Sequence, residues 1–163
     1  MPTGTNVPPG TEEKVKKLLP SVLGLPNMYL STEFGTMIAF NPTQEMLGPI
    51  RPGIEVKILD VETGDILGPN KVGEILAKGR FMTPGYLNKP EANADLMTED
   101  GFLRMGDLGH YDEEGMLYYD GRQKEVLRPY GINLFPVFME EIIGRHPEVK
   151  EVAIFGRPDQ VSC

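Results

Sequence analysis

The sequence has no tryptophan, one cysteine and two histidines among 163 residues. With Cys163 alone, neither a disulfide framework nor a cysteine-based zinc site can be built. His110 and His146 are far apart and lack ligand partners at metal spacing. No apolar run approaches the ~20 residues that a membrane-spanning helix requires. Basic residues are scarce: 16 Lys and Arg face 24 Asp and Glu, for a net charge of -8. That balance argues against nucleic acid, whose phosphates need clustered cations, but not against a nucleotide, which needs a few donors in one place. Three chemical signatures are missing as well: a Gly-x-x-x-x-Gly-Lys-Ser/Thr loop, a paired-glycine fingerprint after a strand, and a nucleophile elbow. Standard hydrolase and dehydrogenase readings lose their support. "MPTGTNVPPG" has no secretory-signal character, and "RPDQVSC" is not a Ser-Lys-Leu address. The default expectation is a reducing, intracellular setting: cytoplasmic, with peroxisome or mitochondrion open for a larger parent protein.

Turn residues are abundant instead. Gly 19 and Pro 15 predict short strands rather than long helices. "TEEKVKKLLP" reads as a helix with Thr11 as N-cap, an apolar face of Val15, Leu18 and Leu19, and Pro20 as its stop. "IEVKIL" alternates as a half-buried strand, and the "DVETGD" turn after it predicts a hairpin. "GEILAKG" (73–79) reads as a second strand, and "HYDEEGMLYYD" as two short strands around a turn. From Pro136 the pattern changes: "PVFMEEIIG" reads as a helix capped by Gly144, and "KEVAIFG" as a buried strand. A domain boundary is expected at residues 121–126. Both ends are abrupt in pattern, so the chain is expected to be a piece of something larger.

Three polar signatures remain. In "MYLSTEFG" (28–35), Thr32 could donate to a phosphate oxygen and Glu33 could hold Mg²⁺, although such a turn also reads as an ordinary loop. Asp107 could accept from ribose hydroxyls, although Asp in "GDLG" also reads as a turn residue. Arg122 in "DGRQKE" could meet ribose or phosphate, or simply solvent.

The order of the segments resolves the ambiguity. "YLSTE", "GEILAKGRFMTPGYLNKPEAN", "GFLRMGDLG", "DGRQKEVLRPYGINLFP" and "HPEVKEVAIFGRPD" together resemble the adenylate-forming superfamily of acyl-CoA synthetases, 4-coumarate–CoA ligases and insect luciferases, with "GINLFP" leaning to the acyl-CoA synthetase branch. The resemblance implies an α/β chain: the β-rich, distorted-barrel end of the large adenylation domain (residues 1–122), then a hinge and the start of a small α+β C-terminal domain (residues 123–163). It implies ATP/AMP, Mg²⁺ and coenzyme A as cofactors, a carboxylic acid as substrate, and the remainder of the protein's own chain as a partner. Tyr29 would stack on adenine, Thr32 would bind the α-phosphate and Glu33 would ligate Mg²⁺. Asp107 and Arg122 would hold the ribose, with Gly4, Thr5 and Asn6 lining the adenine pocket. Lys124 falls at the hinge, and Arg128 and Gly131 in the loop that faces the cleft during thioester formation. Departures are Leu30, where the family has glycine, Phe138, where many relatives have Glu, and "RPY" (128–130) in place of a more basic or glycine-rich stretch. The family's phosphate-gripping loop and adenylating lysine match no segment here, so the chain alone is expected to be inactive. A non-catalytic nucleotide- or partner-binding role and luciferase-like oxidation of the adenylate are the alternatives.

Overall fold

The computed structural model describes residues 11–22, 25–42 and 46–157. After helix α1 (Thr11–Leu18), strands β1 (Asn27–Leu30) and β2 (Met37–Asn41) form an antiparallel ribbon. A second sheet has five strands, in the order β3 (Gly48–Pro49), β7 (Met116–Arg122), β6 (Leu103–Tyr111), β5 (Gly73–Lys78), β4 (Glu55–Leu59). Every neighbouring pair in it is antiparallel. A short helix α2 (Pro90–Ala94) lies in the connection from β5 to β6, and α3 (Pro136–Gly144) follows β7. The chain is α/β and β-rich as expected. Among the described residues the expected distorted barrel is an open sheet, with β3 and β4 at its edges.

The strands expected from local pattern are present. β4 and β5 pair from Glu55 opposite Lys78 to Leu59 opposite Glu74. The Asp60–Asp65 turn, closed by the Asp65 carbonyl accepting from the Asp60 N–H at 2.8 Å, brings Ile66 back beside Leu59. That return covers Leu59, so Ile58 and Leu59 are both buried where strict alternation would leave one outside.

The ribbon docks on the sheet through an Ala39–Ile50 bridge and a hydrogen bond from the Arg51 N–H to the Ile38 carbonyl, 2.9 Å. Phe34, in the turn between β1 and β2, is fully buried, and its ring fills the space that a Cβ on Gly79 would need. Tyr29, Phe34, Ile38, Ile75, Leu103 and Leu117 belong to one apolar cluster, so ribbon and sheet share a core.

Four expectations do not hold. α1 forms, but Leu18 is 79% exposed and Leu19 56%, so its apolar face packs against little among the described residues. Thr11 is itself helical rather than the cap. Residues 151–157 are not a strand: Phe155 is 83% exposed, and no described strand lies alongside to share a ladder. Pattern alone cannot supply that partner. Instead, the Ile154 N–H donates to the Glu140 carboxylate of α3 at 2.7 Å. Gly144 is the last residue of α3 and not its cap, because the chain leaves the helix at Arg145, which stays right-handed.

β6 and β7 approach each other closely at Gly109. A Cβ there would lie 2.3 Å from the Tyr118 carbonyl oxygen and 2.5 Å from Ile75 Cδ1. Gly109→Ala should therefore destabilise the chain by about 1–3 kcal/mol through overpacking. Urea unfolding checks this, and an unchanged midpoint would mean that β6 and β7 are not packed this tightly.

Candidate nucleotide site

The hairpin of β6 and β7 places Asp107 directly opposite Arg122. This pairing depends on a bulge. Tyr111 pairs with Leu117, His110 with Tyr118 and Gly109 with Tyr119; the register then shifts, and Leu108 pairs with Gly121. Asp120 is the extra residue; were it paired in regular register with Leu108, Asp107 would face Gly121 rather than Arg122. The extra side chain is buried and its carboxylate meets His110 Nδ1 at 2.7 Å. The His110 ring is held flat against Tyr118, with centroids 4.8 Å apart. Gly121 takes φ +138°, a conformation that side-chain-bearing residues rarely adopt, and it turns β7 into Arg122.

Asp107 is buried, with two neighbours of different character. The Tyr29 hydroxyl, from the ribbon, donates to Oδ2 at 2.7 Å. Arg122 Nε lies 3.0 Å from Oδ1 as an ion pair, but its N–H is not aimed there, and Oδ1 has no hydrogen-bond partner among the described residues. Burial pushes the Asp107 carboxyl above the usual range, against the Tyr29 hydroxyl and the Arg122 guanidinium, which pull it down. Burial, and then the charge of Asp107, raise Tyr29 well above the usual phenol range and push Tyr119 up to about 12. Both phenols therefore remain hydrogen-bond donors across the neutral range.

Glu33 lies within electrostatic reach of the same group: Arg122 lowers its carboxyl, and Glu33 raises that of Asp107. The largest influence on Glu33 is the Tyr86 hydroxyl, which donates to Oε1 at 2.6 Å and holds the carboxyl below its usual range. The turn is tied down by Ser31 Oγ accepting from the Phe34 N–H at 3.1 Å and by the Glu33 carbonyl accepting from the Thr83 N–H at 2.7 Å. Tyr86 is itself clasped by Asn93, whose Oδ1 accepts from its N–H at 2.7 Å and whose Nδ2 donates to its carbonyl at 2.9 Å.

The structure thus brings Tyr29, Asp107 and Arg122 together, with Glu33 nearby. Thr32 is exposed on the same turn as Glu33. Lys124 is exposed in a 3-10 turn, Gln123–Glu125, directly after β7. Arg128 is exposed ahead of a second 3-10 turn, Pro129–Gly131, in a loop closed by paired Leu127–Leu134 backbone hydrogen bonds of 2.9 and 2.8 Å. Gly4, Thr5 and Asn6 lie outside the described residues. Sequence reasoning missed Tyr86, Tyr119 and Glu125, the last acting on Asp107 by its charge. Tyr86 sits in "PGYLNKPEAN", a stretch that carried the resemblance but no role. An open cavity of about 580 Å³ lies elsewhere, between Lys57, Ile66, Met97 and Arg104, and none of the expected site residues lines it.

The profile of the AMP-binding enzyme family matches residues 2–87, just over half of the chain. The chain belongs to that family, within the adenylate-forming superfamily. The chain is 32% identical over 146 residues to 4-coumarate–CoA ligase-like 6 of Oryza sativa, covering 83% of itself and 24% of that protein. It is 36% identical over 115 residues to luciferin 4-monooxygenase of Nipponoluciola cruciata, covering 71% of itself and 21% of that protein. Among solved structures, O-succinylbenzoate coenzyme A synthetase of Bacillus subtilis, in complex with ATP and magnesium ion, aligns with a TM-score of 0.81 at 27% identity, over 96% of this chain and 33% of that one. The chain therefore spans between a fifth and a third of the length of these relatives.

The raised Asp107 carboxyl has a consequence for stability. The folded chain holds that proton more tightly than the unfolded chain does. The group's contribution is thus fully present below the ordinary aspartate value of 3.8 and is lost as pH rises through the higher folded value. Asp107→Asn should accordingly be more stable than the parent sequence at pH 7, with the advantage gone in strong acid. Urea midpoints at the two pH values check this, and a variant less stable at pH 7 would show that the partners outweigh burial.

Proposed function

We propose that this chain supplies the ribose-facing wall and the hinge of an acid–thiol ligase. Such a ligase activates a carboxylic acid, a fatty acid in the preferred reading, as an acyl-adenylate and passes it to coenzyme A. The observation that carries the reading is Asp107: a buried carboxylate set opposite Arg122, with one oxygen lacking a hydrogen bond. Buried polar atoms without partners are rare in folded chains, and this one suits a hydroxyl brought by a ligand.

The chemistry asks an anion to attack a polyanion. The acid's carboxylate oxygen forms a bond to the α-phosphorus of ATP, pyrophosphate leaves, and the thiol of coenzyme A later takes the acyl group, releasing AMP. Asp107 and Arg122 would fix the ribose, and Tyr29 would meet the adenine with the small part of its ring left exposed. Thr32 would donate its hydroxyl to the α-phosphate. Mg²⁺, when bound with the nucleotide, would neutralise developing charge on the phosphates. Glu33 fits as its protein ligand: its carboxyl is held below the usual range, and Mg²⁺ takes one or two carboxylates plus phosphate oxygens rather than an all-protein cage. Residues 1–122 would belong to the large domain and 123–163 to the mobile one, turning at Lys124. Arg128 and Gly131 would face the cleft in the thioester step. Leu30, partly exposed beside Tyr29, would narrow the acyl slot that glycine leaves open.

Titration of the chain with AMP tests the site. Asp107→Ala should weaken binding about tenfold or more, since a hydrogen bond to a charged group is lost; unchanged affinity would remove Asp107 from the ribose site. The hinge is tested in a longer protein that contains these residues. Lys124→Pro should spare pyrophosphate release and block thioester formation. Equal loss of both half-reactions would sink the hinge assignment.

A further inference from the structure

We propose that His110 is a positioning residue for the nucleotide: through its hydrogen bond to Asp120 it holds the bulge that keeps Arg122 on the Asp107 face of the sheet. The inference rests on the nucleotide reading above and adds a residue that touches no ligand yet decides whether Arg122 can.

The bulge decides more than which residue stands opposite which. Successive side chains on a strand point to opposite faces, and partners across a ladder share one face. In the observed register Arg122 stands opposite Asp107. A regular ladder continued from His110 and Tyr118 would pair Asp120 with Leu108, Gly121 with Asp107 and Arg122 with Gly106. Arg122 would then point to the face away from Asp107, and the guanidinium would be lost to the site. Tyr29 would stay, because it reaches Asp107 from the ribbon and not from β7.

A row of side chains on one face of the hairpin holds the extra residue in place. His110 and Tyr118 pair between Tyr111–Leu117 and Gly109–Tyr119, so they lie on the face opposite the apolar cluster that contains Leu117. At the turn, Asp112 accepts from the Met116 N–H at 2.8 Å and from the Tyr118 hydroxyl at 3.0 Å. The Tyr118 ring lies within 3° of parallel to His110, which aims Nδ1 at Asp120 Oδ2, 2.7 Å away. The Asp120 side chain is only 7% exposed, and an ionised carboxylate can only accept, so Nδ1 is the donor. Without that donor Asp120 would lose its charge-assisted partner while still buried, which folded chains avoid. Relief would come from turning the side chain out to water, and the bulge would go with it. Gly121, at φ +138°, allows the bulge; the contact between Asp120 and His110 requires it.

The test reads register and ligand separately on the full chain, isotope-labelled. In the parent sequence, cross-strand contacts seen by NMR should join Arg122 to Asp107. In His110→Phe, which keeps a ring over Tyr118 and removes the donor, they should join Arg122 to Gly106, and AMP should bind about tenfold or more weakly. His110→Asn, whose amide N–H can stand where Nδ1 stood, should restore the parent register and bring AMP binding back to within about threefold. In an Arg122→Ala chain, adding His110→Phe should weaken AMP by less than about twofold more, because the group through which His110 acts is gone. The parent register or unchanged AMP affinity in His110→Phe would overturn the proposal. So would His110→Asn behaving like His110→Phe, or a full further loss in the Arg122→Ala chain, since His110 would then act on the fold at large. Failure of the parent chain to bind AMP would overturn the nucleotide reading, and the ligand role of His110 with it; the contacts of Arg122 distinguish that failure from a failure of the register argument. Should His110→Phe not fold, His110→Phe combined with Asp120→Leu leaves no buried charge unpaired and should show the same shifted contacts and the same loss.

Discussion

A buried carboxylate is costly unless donors are brought to it, and the arrangement of this chain around Asp107 follows from that constraint. Its hydrogen-bond donor and its counter-charge come from distant parts of the sequence. Tyr29 arrives on the ribbon and Arg122 on the next strand, so ribbon, β6 and β7 must hold one register together. A slip of one residue would turn Asp107 to the opposite face of the sheet and leave Tyr29 pointing at nothing. The bulge at Asp120 therefore matters beyond its own strand: it is the residue count that brings Arg122 opposite Asp107. His110 makes the bulge tolerable by meeting the carboxylate that it buries.

The Glu33 turn is built on the same plan at smaller scale. Phe34 anchors it in the core, while Tyr86 holds the carboxylate from a loop clasped at both its N–H and its carbonyl by Asn93. Charged groups held by fixed partners do not have to be gathered when a ligand arrives, which is the physical content of preorganisation. The segment after Arg122 is made differently. Lys124 and Arg128 are exposed, and Ile132, Ile142 and Phe155 stand largely in solvent. Stiffness is concentrated in the sheet that carries Asp107, and it thins out where a hinge is proposed.

How much of this could be read from the residues depended on distance along the chain. The "HYDEEGMLYYD" hairpin and the β4 and β5 strands were legible, because alternation and turn chemistry are local. The "KEVAIFG" strand failed for the opposite reason: its apolar pattern is right, but a strand exists only beside another. The apolar face of α1 is likewise real in sequence, but Leu18 and Leu19 are largely uncovered among the described residues. Within the site, Asp107 and Arg122 were legible as residue types, but their register was not, since a bulge leaves no mark in the order of letters. Tyr86 was invisible as a partner of Glu33 because 53 residues separate them and nothing local announces the contact.

The site's incompleteness has an energetic meaning of its own. Asp107 is held where burial opposes its charge, and its two neighbours compensate only in part, which is why its carboxyl stays raised. Filling the site with an apolar or neutral group of similar shape would give a more stable sheet. A ligand hydroxyl donating to Oδ1 would relieve that penalty, and the free energy of relief would appear as affinity. Tyr29 then has two consequences that cannot be separated. By donating to Oδ2 it lowers the cost of burying the carboxylate, and by the same hydrogen bond it fixes how the carboxylate sits, with Oδ1 left as the oxygen that has no hydrogen bond among the described residues.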